Sequence, residues 1–229
     1  MSGSQGIYRT PAMGIVEPSG HGSQNQFFDM GVTRQGAQIV QDQILYWALQ
    51  GRLFHAQQGD AITQLAWTET TYDEDQPQFA LNVPTGKTVI PVSLVFNIED
   101  QAGTDNHWVW SSCTNDIGTG TSTSLTISNM RTDAPHASGC AANSLYTGNA
   151  TAATGLIEII RWVDPFVAAA GTMAGGSGRL EWDIRSSSAI PVLVGPATLQ
   201  AHIYATGTDA EGFGEYVWAE FDTPALVTK

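Results

Sequence analysis

Basic residues are scarce in this chain. Lysine occurs only at Lys87 and Lys229, and Lys plus Arg total 9 against 22 Asp plus Glu, a formal net charge of −13. A field of that sign repels phosphate backbones, so strong direct nucleic-acid binding is not expected. Charge of either sign is sparse too: 14% of residues are Asp, Glu, Lys or Arg, where ordinary globular proteins carry roughly 25%. The surface must then rest on Ser, Thr, Asn, Gln and Gly, or be covered by other subunits. No apolar run approaches the ~20 residues of a membrane-spanning helix. The first residues, MSGSQGIYRTPAMG, lack the basic start and apolar stretch of a secretory signal, so export by that route is not expected. No nucleophile-elbow, zinc-protease, phosphate-loop, dinucleotide or EF-hand pattern occurs. Neither a cofactor nor a metal site is therefore expected.

Cysteine is limited to Cys113 and Cys140. Both stand in Ser- and Gly-rich surroundings, where they either close a disulfide between loop segments or remain two unpaired thiols. Neither has a histidine at ligand spacing, which gives no support for zinc. The five histidines are dispersed, with His55 and His202 inside strand-like runs that suggest half-buried, satisfied side chains. Asp73-Glu74-Asp75 precedes Pro77 and reads as a solvated acidic turn rather than a calcium loop. Six of the seven tryptophans (Trp67, Trp108, Trp110, Trp162, Trp182 and Trp218) fall in strand-like runs. Core packing or subunit contact explains them more simply than sugar stacking. Asn149-Ala150-Thr151 matches the glycosylation acceptor pattern, which matters only in a secreted eukaryotic protein.

What the chain does contain is strands. Phe79–Ile98 joins an alternating run (Phe79, Leu81 and Val83 on one face) to Val89–Ile98 through a Pro84-Thr85-Gly86-Lys87 corner. The second run carries apolar residues on both faces, which places it in the middle of a sandwich or against a neighbour. Further strands are expected at 52–57, 62–71, 107–112, 125–130, 155–163, 179–185, 190–194, 198–206 and 215–221. No amphipathic helix separates them, which indicates an antiparallel sandwich or barrel. Ser/Thr/Gly/Ala-rich stretches at 114–124, 132–154 and 167–178 read as loops.

One helix is expected over Thr33–Gln50, with Ala37, Val40, Ile44, Trp47 and Ala48 as its apolar stripe. Thr33 is its expected N-cap and Gly51 its C′ residue. Residues 1–32 read as an extended arm. The chain thus divides into an arm (1–32), a helix packed on the sheets (33–50) and a single domain over 51–229, with no linker to split it.

In size and order of elements the chain resembles the single jelly-roll capsid proteins of tailless, membrane-containing bacterial and archaeal viruses. The residues carrying the likeness are FALNVPTGKTVIPVSLVF and the closing strand GEYVWAEFDTP. It departs from the coats of plant-type RNA viruses, whose arms are rich in Lys and Arg, since residues 1–32 contain only Arg9. The resemblance implies an all-β jelly-roll sandwich acting as a non-catalytic, self-assembling shell subunit in a virion put together in the host cytoplasm. Its partners would be copies of itself, other capsid proteins and an underlying membrane or minor protein. Two other readings stand beside it: a carbohydrate-binding sandwich of lectin or receptor-binding type, and a glycan-active enzyme on the same fold.

Overall fold

The computed structural model describes residues 11–12, 28–29, 42–60, 62–67, 69, 71–100, 105–133, 135–164, 178–205 and 210–223. In chain order the elements are β1 (Pro11–Ala12), β2 (Phe28–Asp29), α1 (Gln43–Leu49), β3 (Leu53–Gln58), β4 (Leu65–Trp67), β5 (Phe79–Val83), β6 (Lys87–Asp100), β7 (Asn106–Cys113) and β8 (Thr123–Ser124). They continue with β9 (Ile127–Asn129), β10 (Ala141–Ser144), β11 (Ile157–Asp164), β12 (Arg179–Asp183), β13 (Leu193–Val194), β14 (Ala197–Ala205) and β15 (Ala210–Asp222). Apart from the β1–β2 pair, residues 1–41 lie outside the described residues.

Two antiparallel sheets face each other. One runs β11-β7-β14-β5-β10-β8, and the other β12-β6-β15-β3-β9, with β13 on β6 and β4 on β15. The eight principal strands are β3, β5, β6, β7, β11, β12, β14 and β15, and the chain changes sheet at every step between them except β7 to β11. That winding, with neighbour orders 12-6-15-3 and 11-7-14-5, is the jelly roll expected from the sequence. The corner joining β5 to β6 is a turn in which the Lys87 N–H donates to the Pro84 carbonyl at 3.1 Å. Gly86 sits at its third position with φ +88°, where a side chain would be strained.

β6 holds the two layers together, and its irregular pattern has a cause. Trp218 of β15 pairs with Pro91 while Val217 pairs with Ser93, so Val92 is an extra residue, a bulge. Before it Val89 faces the inter-sheet core; after it Leu94, Phe96 and Ile98 do. Val92, with Ile90 beside it, faces the other way and packs with Leu53, Ala219 and Phe221. The parity of the strand changes at the bulge, which is why both faces read as apolar.

The inner core centres on Phe96, whose ring lies 4.6 Å from Trp108, 5.2 Å from Trp110 and 5.6 Å from both Trp67 and Tyr216. Phe79 stacks on Tyr216 across the layers. A buried chain runs from the Tyr216 hydroxyl to Gln58 and from the Gln58 amide to the Gln78 carbonyl, joining β15 and β3 to the approach of β5.

α1 covers the outer face of β6 and β15. Ile44, Trp47 and Ala48 pack there, and Trp47 meets Phe221 edge-on at 5.4 Å. The helix starts later than the periodicity suggests. Asp42 is its N-cap, accepting from the Ile44 and Leu45 N–H groups at 2.9 and 3.1 Å. The ψ of 131° at Asp42 is extended, so α1 itself begins at Gln43; Thr33, Ala37 and Val40 of the expected helix lie outside the described residues. Gly51, at φ +70°, takes the C′ position as expected.

Candidate functional site

Only two residues, Leu125 and Thr126, separate β8 from β9, and each of these is the last strand of its sheet. A connection that short spans about the 10 Å between packed sheets. It closes one side of the sandwich. The opposite ends of the two sheets, β11 and the β12/β13 pair, therefore share the other side, and among the described strands each pairs with one neighbour only.

Both of these edges expose apolar side chains among their charged ones. β11 reads IEIIRWVD, rich in β-branched and aromatic residues. Its Ile157 and Val163 are 60% and 49% exposed. On the other edge Leu193 points into the core, and Ile190, Val192 and Val194 face outward. On α1, Leu45, Tyr46 and Leu49 are exposed as well. Scattered exposed leucines need no explanation, but apolar edge strands do, because their unpaired N–H and C=O groups template association.

Two concavities stand out among the described residues. The first, about 380 Å³, is lined by Gln50, Arg52, Lys87, His136, Glu220, Phe221 and Asp222. It holds the arrangement closest to a carboxylate pair, yet the Lys87 ammonium lies 3.1 Å from Glu220 and 3.0 Å from Asp222. Glu220 also accepts from Ser138 Oγ at 2.6 Å and from the Gly139 N–H at 2.9 Å. Burial pushes its carboxyl up, and these hydrogen bonds outweigh burial and hold it below the usual range. The cluster works as a clasp between the 138–139 loop and β15. The second concavity, about 590 Å³, lies at the closed side and is lined by polar side chains, among them His55, Gln57, Thr126, Ser128 and Ser144, together with the Asp60 carboxylate and Leu65 and Leu125.

No family model, curated protein or solved structure matches this chain. Its function must therefore be argued from the site itself.

The structure separates the residues singled out by sequence. Cys113 and Cys140 are both free and buried. Cys113 pairs with Thr198, Thr198 with Asn82, and Asn82 with Ala141. Three strand spacings of ~4.8 Å put Cys113 about 14 Å from the neighbour of Cys140, far beyond the roughly 4.4–6.8 Å between Cα atoms that a disulfide needs. Of the two readings left open by sequence, the disulfide is thus the one the geometry overturns. Burial pushes both thiols up, so a thiol reagent is expected to label neither residue in the folded protein and both in urea. Rapid labelling under native conditions, or an intact disulfide on non-reducing mass analysis, contradicts this.

Asp73 organises the acidic turn, accepting from the Asp75 N–H at 2.9 Å and the Gln76 amide at 3.0 Å. Among the described residues no group of three or more His, Cys, Asp or Glu side chains is placed to hold a metal. Trp67, Trp108, Trp110, Trp182 and Trp218 are buried, and Trp47 and Trp162 half-buried. The five buried rings offer no face to a sugar. The Asn149 amide of the acceptor triplet donates to Asp75 at 3.0 Å.

His202 departs from the expectation of a half-buried, satisfied histidine. It is 1% exposed, and neither ring nitrogen has a hydrogen-bond partner. Glu69 lies opposite, with 3.9 Å between its carboxylate and Nδ1. Residue 69 reaches that position because its backbone bridges Tyr204, the Ala205 N–H donating to the Glu69 carbonyl at 3.0 Å. Tyr72 covers the pair, its ring 4.9 Å from that of His202.

Burial pushes the Glu69 carboxyl up to about 9 and the His202 imidazole down to about 4. The nearby Asp73 charge adds to burial at Glu69 and opposes it at His202, where burial dominates, so the pair is uncharged near neutrality. Unfolding returns His202 to about 6.5 and Glu69 to about 4.5. The histidine therefore contributes stability that is lost as pH falls from about 6.5 to 4, and the glutamate stability that is lost as pH rises from about 4.5 to 9. Their slopes cancel between 4.5 and 6.5. Above 6.5 the glutamate acts alone, at no more than about 1.4 kcal/mol per pH unit. Glu69→Gln should remove that alkaline loss, so urea unfolding across pH 6.5–9 should show the variant gaining steadily on the native chain. Parallel curves would contradict it.

Proposed function

We propose that this chain is a structural shell subunit: a non-catalytic jelly roll that assembles with copies of itself into a capsid, as part of a virion built in the host cytoplasm. The observation that carries this reading is the open side of the sandwich, where the end strands of both sheets expose apolar side chains. A tiling subunit needs contacts of that kind, and low surface charge keeps their desolvation cheap. The buried tryptophans and the clasped Glu220–Asp222 pair fit a molecule whose inside is scaffold. Partners beyond further copies are other shell proteins and an underlying membrane or minor protein. The net charge of −13 favours genome contact through such an intermediary over direct binding.

Electron microscopy of the native protein at rising concentration tests the reading. Closed shells or flat sheets support it, and a monomer at every concentration removes it. One observation favours a second reading: the groove of about 590 Å³ at the closed side, with its hydroxyl and amide lining, suits a neutral polar ligand such as a glycan. Saturable glycan-array binding by a stable monomer would select that reading instead.

A further inference from the structure

We infer that β11 is a two-fold interface, pairing antiparallel with β11 of a second copy so that the six-stranded sheet runs on into its partner. The inference rests on the self-assembly reading and names the contact it uses.

β11 is the longest end strand of the sandwich, eight residues without interruption. The other open edge is broken by the turn that follows Asp183, which separates β12 from β13. Both edges carry charge: Arg179 and Glu181 pair on β12 at 3.2 Å, as Glu158 and Arg161 do on β11 at 2.7 Å. Only β11 combines such a pair with a long single strand.

The pattern on β11 is self-complementary, and a bulge makes it so. Residues three apart on a regular strand point to opposite faces. Glu158 pairs with Ser111 and Ile160 with Trp110, so Ile159 is an extra residue and the parity changes there. Glu158 and Arg161 thus share the outward face, both exposed. When two such strands run antiparallel with Glu158 of one opposite Arg161 of the other, the symmetry makes the contact twice. In the same register Ile157 faces the partner's Trp162, and the two bulges lie opposite each other. Each carboxylate then stands between two guanidiniums, and the backbone groups of both edges that have no partner among the described strands find one.

Charge reversal in halves provides the test. Glu158→Arg puts a cation at both paired positions of the strand, and Arg161→Glu an anion at both, at exposed positions where the fold tolerates either. Sedimentation velocity should show each variant self-associating about tenfold more weakly than the native chain. An equimolar mixture should recover association as a one-to-one heterodimer. Native-like association of either variant alone, or a mixture that stays monomeric, overturns the β11 interface and leaves self-assembly standing. If the native chain never associates, the self-assembly reading falls and this inference with it. Unchanged thermal unfolding of both variants excludes misfolding as the cause.

Discussion

Deleting Val95 costs far more stability than deleting Val92, three residues earlier, which leaves the protein folded. The contrast follows from the bulge in β6. With Val92 removed, Pro91 stays opposite Trp218 and Ser93 opposite Val217, and the ladder becomes regular without any residue changing face. The loss is one half-strand's worth of twist and a buried valine side chain, about 1–3 kcal/mol. With Val95 removed, one half of the strand must turn over. If the later half moves, Phe96 and Ile98 leave the core; if the earlier half moves, Leu94 does, and all three are buried there. A one-residue slip exchanges the faces of a strand. Either response takes one or two large side chains out of the core at about 2–5 kcal/mol each, a large part of the roughly 5–15 kcal/mol by which a domain is stable. Circular dichroism and urea unfolding read the result, and equal behaviour of the two deletions would refute the bulge account.

Phe96→Ala should cost about 3–5 kcal/mol, the largest loss from any single truncation in the core. The ring is fully buried and touches three tryptophans and Tyr216, drawn from both sheets. Removing it leaves a cavity whose walls are rigid rings on separate strands, so collapse is limited. Phe96→Leu keeps most of the volume and should cost less than half as much. Tryptophan emission, blue-shifted in the native protein, should move to the red in the alanine variant at a lower urea concentration. A cost below about 1 kcal/mol would place the centre of the core elsewhere.

Sequence reveals the strands whose residues are large and β-branched. β5 is legible to the residue because its alternation is regular, and β6 and β7 to within two residues at each end. β15 extends back to Ala210, five residues before the expected start at 215, through Gly212 and Gly214. Their absent side chains have a reason: a Cβ on Gly212 would run into the Asn97 carbonyl, and one on Gly214 into the Tyr216 hydroxyl. β10 and β8 were hidden within stretches read as loops. AANS carries little strand propensity, and β10 forms because β5 is buried throughout and pairs on both sides.

The open side was less legible. Which strand ends a sheet is a property of order, and nothing local in IEIIRWVD distinguishes an edge from a centre. The Glu69–His202 pair joins residues 133 positions apart in sequence through one backbone bridge, a closeness that spacing does not encode. What signal there was lay in the His202 run itself, QAHIY, where the histidine stands between apolar residues.

The most direct test of the shell-subunit account is sedimentation velocity of the native 24.4 kDa chain over a hundredfold range of concentration near neutral pH. A dimer that gives way to large, discrete particles is the predicted result. A single monomer boundary throughout the range would contradict it.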